Sequence, residues 1–396
     1  MTTVDRPHAV PAAPLSEGVL APLGGPLTAA ARALPATAFD GAAEADRERT
    51  LAPGLAARLV EAGFARHFVP ADRGGAEGTF TDLVTATALL AEGCTSAAWW
   101  AALQAAHGRL AAYFPEAGRA EIWSGSADVP IAAAVVPPAG RMTRTPDGGA
   151  RVEGRWRCVS GVEHAAWVLL AVPDPAARPG DFLVVAVPRA DVTVHDTWHS
   201  AGLRGTGSHD IALAEPLTVP AHRCMGFTDV LRQSARTDVA RCHGVPPRLV
   251  AGLAFAAPAI GAARGALRAW AAPLADARTG PGAAQVSPAR CEVLARASAE
   301  IEIAESLLAG AAARADQGPV TEQAVGRNLR DIALAVEQTV AAVERLYRAG
   351  GIAAQEQNSA VQRAWRDVHT LAAHGALNWE AAAAEYTRTE LPAFAR

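Results

Sequence analysis

Three stretches of this 396-residue chain carry side chains able to do acid–base or hydrogen-bonding chemistry in a confined site. The richest is GRWRCVSGVEHAAW, Gly154 to Trp167, which reads as a strand bearing Trp156, a bend at Ser160 and Gly161, then an acid, a histidine and a second tryptophan. Small polar groups beside aromatic walls suit a flat heterocycle that needs stacking and one or two hydrogen bonds. The same stretch also reads as a hairpin around a buried Trp pair. His107 lies in WWAALQAAHGRLAAYF between apolar neighbours, where a neutral imidazole can face a pocket or simply pack. His369 lies in RAWRDVHT, where Arg363, Arg366 and Asp367 can form local ion pairs at helical spacing, and its ring too can be a packing residue. The Trp99–Trp100 pair reads as core or subunit interface.

Composition removes several other chemistries. All 36 basic residues are arginine, so there is no Schiff-base lysine, no pyridoxal phosphate anchor and no P-loop. No G-x-S-x-G elbow offers a hydrolase nucleophile. His195, His199 and His209 lack a metal spacing, so no metal site is expected. A net charge of −4 makes nucleic acid an unexpected partner. Five scattered cysteines without a C-x-x-C pair read as reduced thiols. The N-terminus does not read as a secretory signal, and Pro, Arg or Asp interrupts the apolar stretches before they reach bilayer length. No membrane partner and a cytoplasmic location are expected.

The elements that must position these residues follow from periodicity. Helical signals run over Asp46 to Ala62, broken or restarted at Pro53 and closed at Gly63, then from near Thr81, and over Ser96 to Phe114. WVLLAV and FLVVAV, separated by the turn-formers PDPAARPGD, predict two buried strands, and RVEGRWRCVSG and HDIALAE predict two more. Beyond His222 the pattern is helical again. Val325, Leu329, Ile332, Val336, Val340, Val343 and Tyr347 form one stripe, helices start at Leu249 and Val293, and a fourth covers Trp365 to Tyr386. The expected fold class is α+β, mainly α: an N-terminal arm (1–40), a helical domain (41–127), a central β domain (128–222) and a C-terminal four-helix bundle (223–396). This order, with no G-x-G-x-x-G after a strand, argues against a Rossmann fold.

VEAGFARHFVPADRGGAEGTF, WRCVSGVEHAAW, DTWHSAGLRGTGSHDI, PAIGAARGALRAW and AVQRAWRDVHTLAAHGALNWE, in this order, resemble the acyl-CoA dehydrogenase superfamily. Within it they resemble the two-component flavin-dependent monooxygenases, such as the oxygenase component of 4-hydroxyphenylacetate 3-hydroxylase, from about Ala45 to the C-terminus. The resemblance implies a homotetramer and a separate reductase that supplies reduced flavin, FMN or FAD. It also implies that O2 reacts to give a flavin C4a-hydroperoxide that hydroxylates an aromatic or polyketide-like small molecule. It places Ser160 at the flavin N5 region, His369 near the reactive flavin carbon and His107 against the substrate. Trp156 is expected beside the cofactor, and Gly350 and Gly351 match a glycine pair whose backbone approaches a neighbouring subunit's flavin.

Two departures bear on the chemistry. HTLAAHGALNWE lacks the catalytic glutamate of the dehydrogenase branch, and PIAAAVVPPAGRM has no serine where the phenol hydroxylases hold their substrate. The other readings of the same fold are an amine N-oxygenase, a desaturase of the dehydrogenase type and a non-catalytic scaffold.

Overall fold

The computed structural model describes residues 18–231, 235–279 and 285–395. Of the expected N-terminal arm, residues 1–17 lie outside the described residues. The rest contributes helices α1 (Pro26–Ala31) and the start of α2 (Leu34–Glu48). The Asp82 carboxylate receives the backbone N–H groups of Gly25, Leu27 and Thr28 and so satisfies the first turn of α1. The segment expected to break at Pro53 does so: α3 spans Pro53–Glu61, and Gly63 follows it at φ +99°. Helices α4 (Phe80–Ala91), α5 (Thr95–Ala111) and α6 (Glu116–Ile122) complete this part.

Ten strands come next, in three small sheets. β1 (Ile131–Ala134) lies parallel to β5 (Trp167–Pro173), which pairs antiparallel with β6 (Phe182–Pro188), and β10 (Cys224–Gly226) closes that sheet. β2 (Arg141–Arg144), β3 (Ala150–Glu153) and β9 (Leu217–Val219) form a second sheet. β4 (Arg155–Val159), β8 (His209–Leu213) and β7 (Val192–His195) form the third. The expected hairpin of two apolar runs is β5–β6, buried on both faces.

The register of β4 on β8 shifts between Trp156 and Val159, and Cys158 sits there at φ +56°. A bulge of this kind bends the strand and re-aims the residues just beyond it. Here it delivers the Ser160–Gly161 turn to α5.

Short helices α7 (Phe227–Leu231), α8 (Arg241–Gly244) and α9 (Pro247–Val250) lead into α10 (Leu253–Thr279), α11 (Pro288–Gln317) and α12 (Glu322–Ala349). The stripe from Val325 to Tyr347 is the inner face of α12, whose start is capped by Thr321 Oγ1 accepting from Ala324 N–H at 3.0 Å. The last expected helix is two, α13 (Ala360–Ala372) and α14 (Trp379–Glu390), separated by the 3₁₀ turn Gly375–Leu377. Segment Pro247–Arg278 is long and apolar enough to cross a bilayer, but 67% of its most apolar window is buried inside the protein. It serves as the central helix of the bundle, against α4, α11, α12 and α13.

Three contacts fasten α13 to α2 and to the loop after β7. Asp367 Oδ1 accepts the N–H of Leu203 at 2.6 Å. The Arg366 guanidinium reaches both carboxylate oxygens of Asp46 on α2, at 3.1 and 3.0 Å, and the carbonyl of Ala201 at 2.6 Å. A Cβ on Gly202 would lie 2.2 Å from the Arg366 carbonyl oxygen, so the loop from Thr197 to Leu203 meets the helix backbone to backbone.

Candidate active site

The β4–β5 turn brings Ser160 to α5, where its buried hydroxyl accepts the indole N–H of Trp99 at 3.1 Å. It also shares a hydrogen bond of 2.7 Å with Ser208 Oγ, which in turn lies 2.7 Å from Thr206 Oγ1. The backbone N–H of Gly161, φ +67°, donates to the Thr206 carbonyl at 2.8 Å. Turn and loop are thereby locked together.

Trp99 is the hub of an aromatic wall. Its ring lies 5.2 Å from Phe255 on α10 and 5.6 Å, edge-on, from His374. Phe255 and His374 stack at 4.1 Å. His374 occupies the break between α13 and α14, where its Nδ1 accepts the N–H of Ala376 at 3.2 Å. In the neutral ring this leaves the proton on Nε2, so His374 offers a donor, and burial holds its pKa below the usual range.

His107 stands two turns further along α5, about 12 Å from Trp99 at 1.5 Å per residue. Its Nδ1 lies 2.7 Å from the carbonyl oxygen of Ile131, while Gln104 Oε1 accepts the N–H of the same residue at 2.9 Å. One turn of α5 thus grips the first residue of β1. Since Nδ1–H donates to that carbonyl, Nε2 keeps its lone pair, and burial pushes the pKa down to about 4. His107 is therefore a neutral acceptor at any ordinary pH, the complement of His374.

Other residues singled out in the sequence fall elsewhere. Trp156 is corrected: it points into the β-domain core, is 1% exposed, and gives its indole N–H to the Ala171 carbonyl at 2.9 Å, so no face of it is left for a cofactor. His369 is not joined to Ser160 by any described contact. Its Nδ1 lies 2.8 Å from the Trp365 carbonyl oxygen, its Nε2 3.8 Å from Glu344, and its ring packs against Trp365, itself stacked on Tyr347. Gly350 and Gly351 end α12 just beyond Tyr347 of this cluster, Gly351 exposed at φ +59°. Trp99, expected as core or interface, is a core residue, and from there it donates to Ser160. Sequence reasoning passes over His374 and Ser208.

A cavity of about 600 Å³ lies apart from this site, between the C-terminal end of α5 and the segment containing His243. It contains none of these aromatic residues, and the chemistry, not the void, marks the site.

Residues 253–379 match the family described as acyl-CoA dehydrogenase, C-terminal domain. The chain is 30% identical over 343 residues to the oxygenase component of an FADH(2)-dependent resorcinol hydroxylase of Rhizobium sp., covering 78% of this chain and 80% of that one. It is 29% identical over 341 residues to HsaA, a flavin-dependent monooxygenase oxygenase subunit of Rhodococcus jostii, covering 83% and 88%. The chain belongs to the flavin-dependent monooxygenases of the acyl-CoA dehydrogenase fold. Among solved structures, a 3-HSA hydroxylase from Rhodococcus superposes with a TM-score of 0.86 at 27% identity, over 93% of this chain and 97% of that one. XiaF from Streptomyces, in complex with FADH2 and glycerol, superposes with a TM-score of 0.79 at 26% identity, over 92% and 95%.

The site of this flavin-dependent monooxygenase fits the group that the family implies. Ser160 retains a lone pair beyond those engaged by its partners, and the Trp99–Phe255–His374 wall offers stacking surface. The indole N–H of Trp100, beside Gly161, is buried without an acceptor among the described residues. A carbonyl or ring nitrogen of a polar heterocycle would complete it.

Proposed function

We propose that this monooxygenase takes reduced flavin from a separate reductase and uses O2 to hydroxylate a phenol-like aromatic or polyketide-like molecule. The observation that carries this reading is the cluster of Ser160, Trp99, Phe255 and His374, which brings a hydrogen-bond acceptor, a donor and aromatic rings together.

Bound reduced flavin supplies the electrons that activate oxygen. The chain does the rest. Ser160 would hold the flavin N5–H through its free lone pair. The aromatic wall keeps water from the reacting atoms, which protects a reactive group from hydrolysis and side reaction. His107 accepts a hydrogen bond from a substrate hydroxyl on Nε2 and so makes the ring more electron-rich. His374, whose Nε2–H faces outward from its Ala376 contact, would donate a hydrogen bond to an oxygen on which negative charge develops.

In this reading His374 takes the part expected of His369. Gly350 and Gly351 stay assigned to the nucleotide part of a flavin held by a neighbouring subunit, within a homotetramer. Exposed Gly351 and the 85% exposed Ile352 beside it support a covered position in the assembly.

The test is a count of products. Protein is mixed anaerobically with dithionite-reduced FMN or FAD, a phenol and then O2 are added, and hydroxylated product and hydrogen peroxide are quantified. Product formation with suppressed peroxide supports the assignment. Peroxide released as fast and as completely as from free reduced flavin, across a panel of phenols, defeats it.

A further inference from the structure

The hydrogen bonds around Ser160 have only one consistent polarity, and it begins at groups that cannot reverse. The Leu203 carbonyl can only accept, so Thr206 Oγ1, 2.7 Å away, must donate its single proton there. The Thr206–Ser208 contact of 2.7 Å then has to be donated by Ser208, and the Ser160–Ser208 contact of 2.7 Å by Ser160. At the other end the Trp99 indole can only donate, which fixes Ser160 Oγ as its acceptor. Every contact is satisfied, and the proton of Ser160 is spent on Ser208. What Ser160 has left to offer a ligand is a lone pair.

We infer that the Thr206–Ser208 relay holds Ser160 as an obligate hydrogen-bond acceptor, and that this makes the site select reduced over oxidised flavin. Reduced flavin carries a hydrogen on N5 and can donate to that lone pair. Oxidised flavin presents a lone pair at N5, which would face another lone pair. The relay thus discriminates between the two redox states of one ligand, and it favours release of the flavin once it has been reoxidised. Thr206 and Ser208 are positioning residues, which act by deciding where one proton points. The loop that bears them is itself pinned, through the Leu203 N–H, to Asp367 on α13. This inference rests on the placement of Ser160 at N5 under the proposed function.

The experiment measures the dissociation constants of oxidised and dithionite-reduced FMN and FAD, anaerobically, by equilibrium ultrafiltration. Wild-type protein is compared with Ser208→Ala, Thr206→Val and the conservative Ser208→Thr. Either of the first two releases the Ser160 proton from its fixed direction. The preference for reduced flavin is expected to fall about tenfold, the ratio that one redirected hydrogen bond produces. Ser208→Thr restores the donor and should retain the wild-type ratio, which a merely structural role for the loop would not require. An unchanged ratio in folded Ser208→Ala and Thr206→Val overturns the relay while leaving the functional reading intact. Failure of the wild-type protein to bind either flavin in either state overturns both.

Discussion

Trp99 donates its indole N–H to Ser160 across 3.1 Å while its ring meets His374 edge-on at 5.6 Å, so one side chain of α5 joins the β4–β5 turn to the break in the bundle. The turn and the break are 61 and 275 residues from Trp99 in sequence, and the indole is where they meet. Removing only the donor should therefore uncouple them. Trp99→Phe keeps most of the ring and leaves Ser160 one partner short, which costs about 1 kcal/mol of stability. The expected outcome is more hydrogen peroxide and less product per reduced flavin consumed, read from the ratio of the two.

The two histidines of the C-terminal region are separable by mutation. His374→Ala removes a hydrogen-bond donor from the aromatic cluster and should lower the rate of product formation by about a hundredfold, the scale of one lost donor to a developing oxyanion. His369→Ala removes a ring packed on Trp365 and near Glu344, outside that cluster, and should change the rate within a few-fold. Single-turnover product formation with saturating reduced flavin makes the comparison. The opposite ranking returns the role to His369.

His107 gives a stability signature with a definite sign. Burial lowers its pKa to about 4 in the folded protein, against the ordinary 6.5, so the unfolded chain binds the extra proton first as pH falls. Its contribution is present above about pH 6.5 and is lost as pH drops toward 4. Urea unfolding at about pH 4, 5, 6 and 7 should show the difference in stability between wild type and His107→Gln shrinking with falling pH.

Asp367 should do the reverse. Burial raises its carboxyl pKa from 3.8 to about 6, against the pull of the Leu203 N–H, Arg366 and Arg363. The folded protein therefore holds a proton that the unfolded chain has released, and the favourable term fades as pH rises from about 4 to about 6, by on the order of 3 kcal/mol at most. Asp367→Asn keeps an oxygen for Leu203 and loses the titration. Its stability relative to wild type should rise across that interval and level off above it, as followed by the same urea series.

Much of the fold is written in apolar periodicity. The stripe from Val325 to Tyr347 and the paired runs WVLLAV and FLVVAV each determine an element because burial rewards one spacing only. The three- and four-residue strands β1, β2, β7, β9 and β10 leave no such mark, since their pairing partners are distant and supply the constraint. The site is less legible for similar reasons. Ser160 stands out as a small polar residue at a bend, and His107 as a histidine amid apolar neighbours.

Trp156 reads as a stacking residue until the strand's inward face is known. His374 is hidden because the segment from Trp365 to Tyr386 carries helical periodicity throughout, and only the turn at Gly375–Leu377 brings that ring against Phe255 and Trp99. Trp99 does carry a signal. An indole N–H on a helix in the core requires an acceptor, and a hydroxyl residue elsewhere in the chain has to provide it.

Arg366 binds Asp46 of α2 and the Ala201 carbonyl from its place on α13, so a single guanidinium ties together three regions that are remote in sequence. Local opening of any one of them strands the other two. Amide protons near residues 46, 201 and 366 are therefore expected to exchange with a common barrier, as one cooperative unit at that seam.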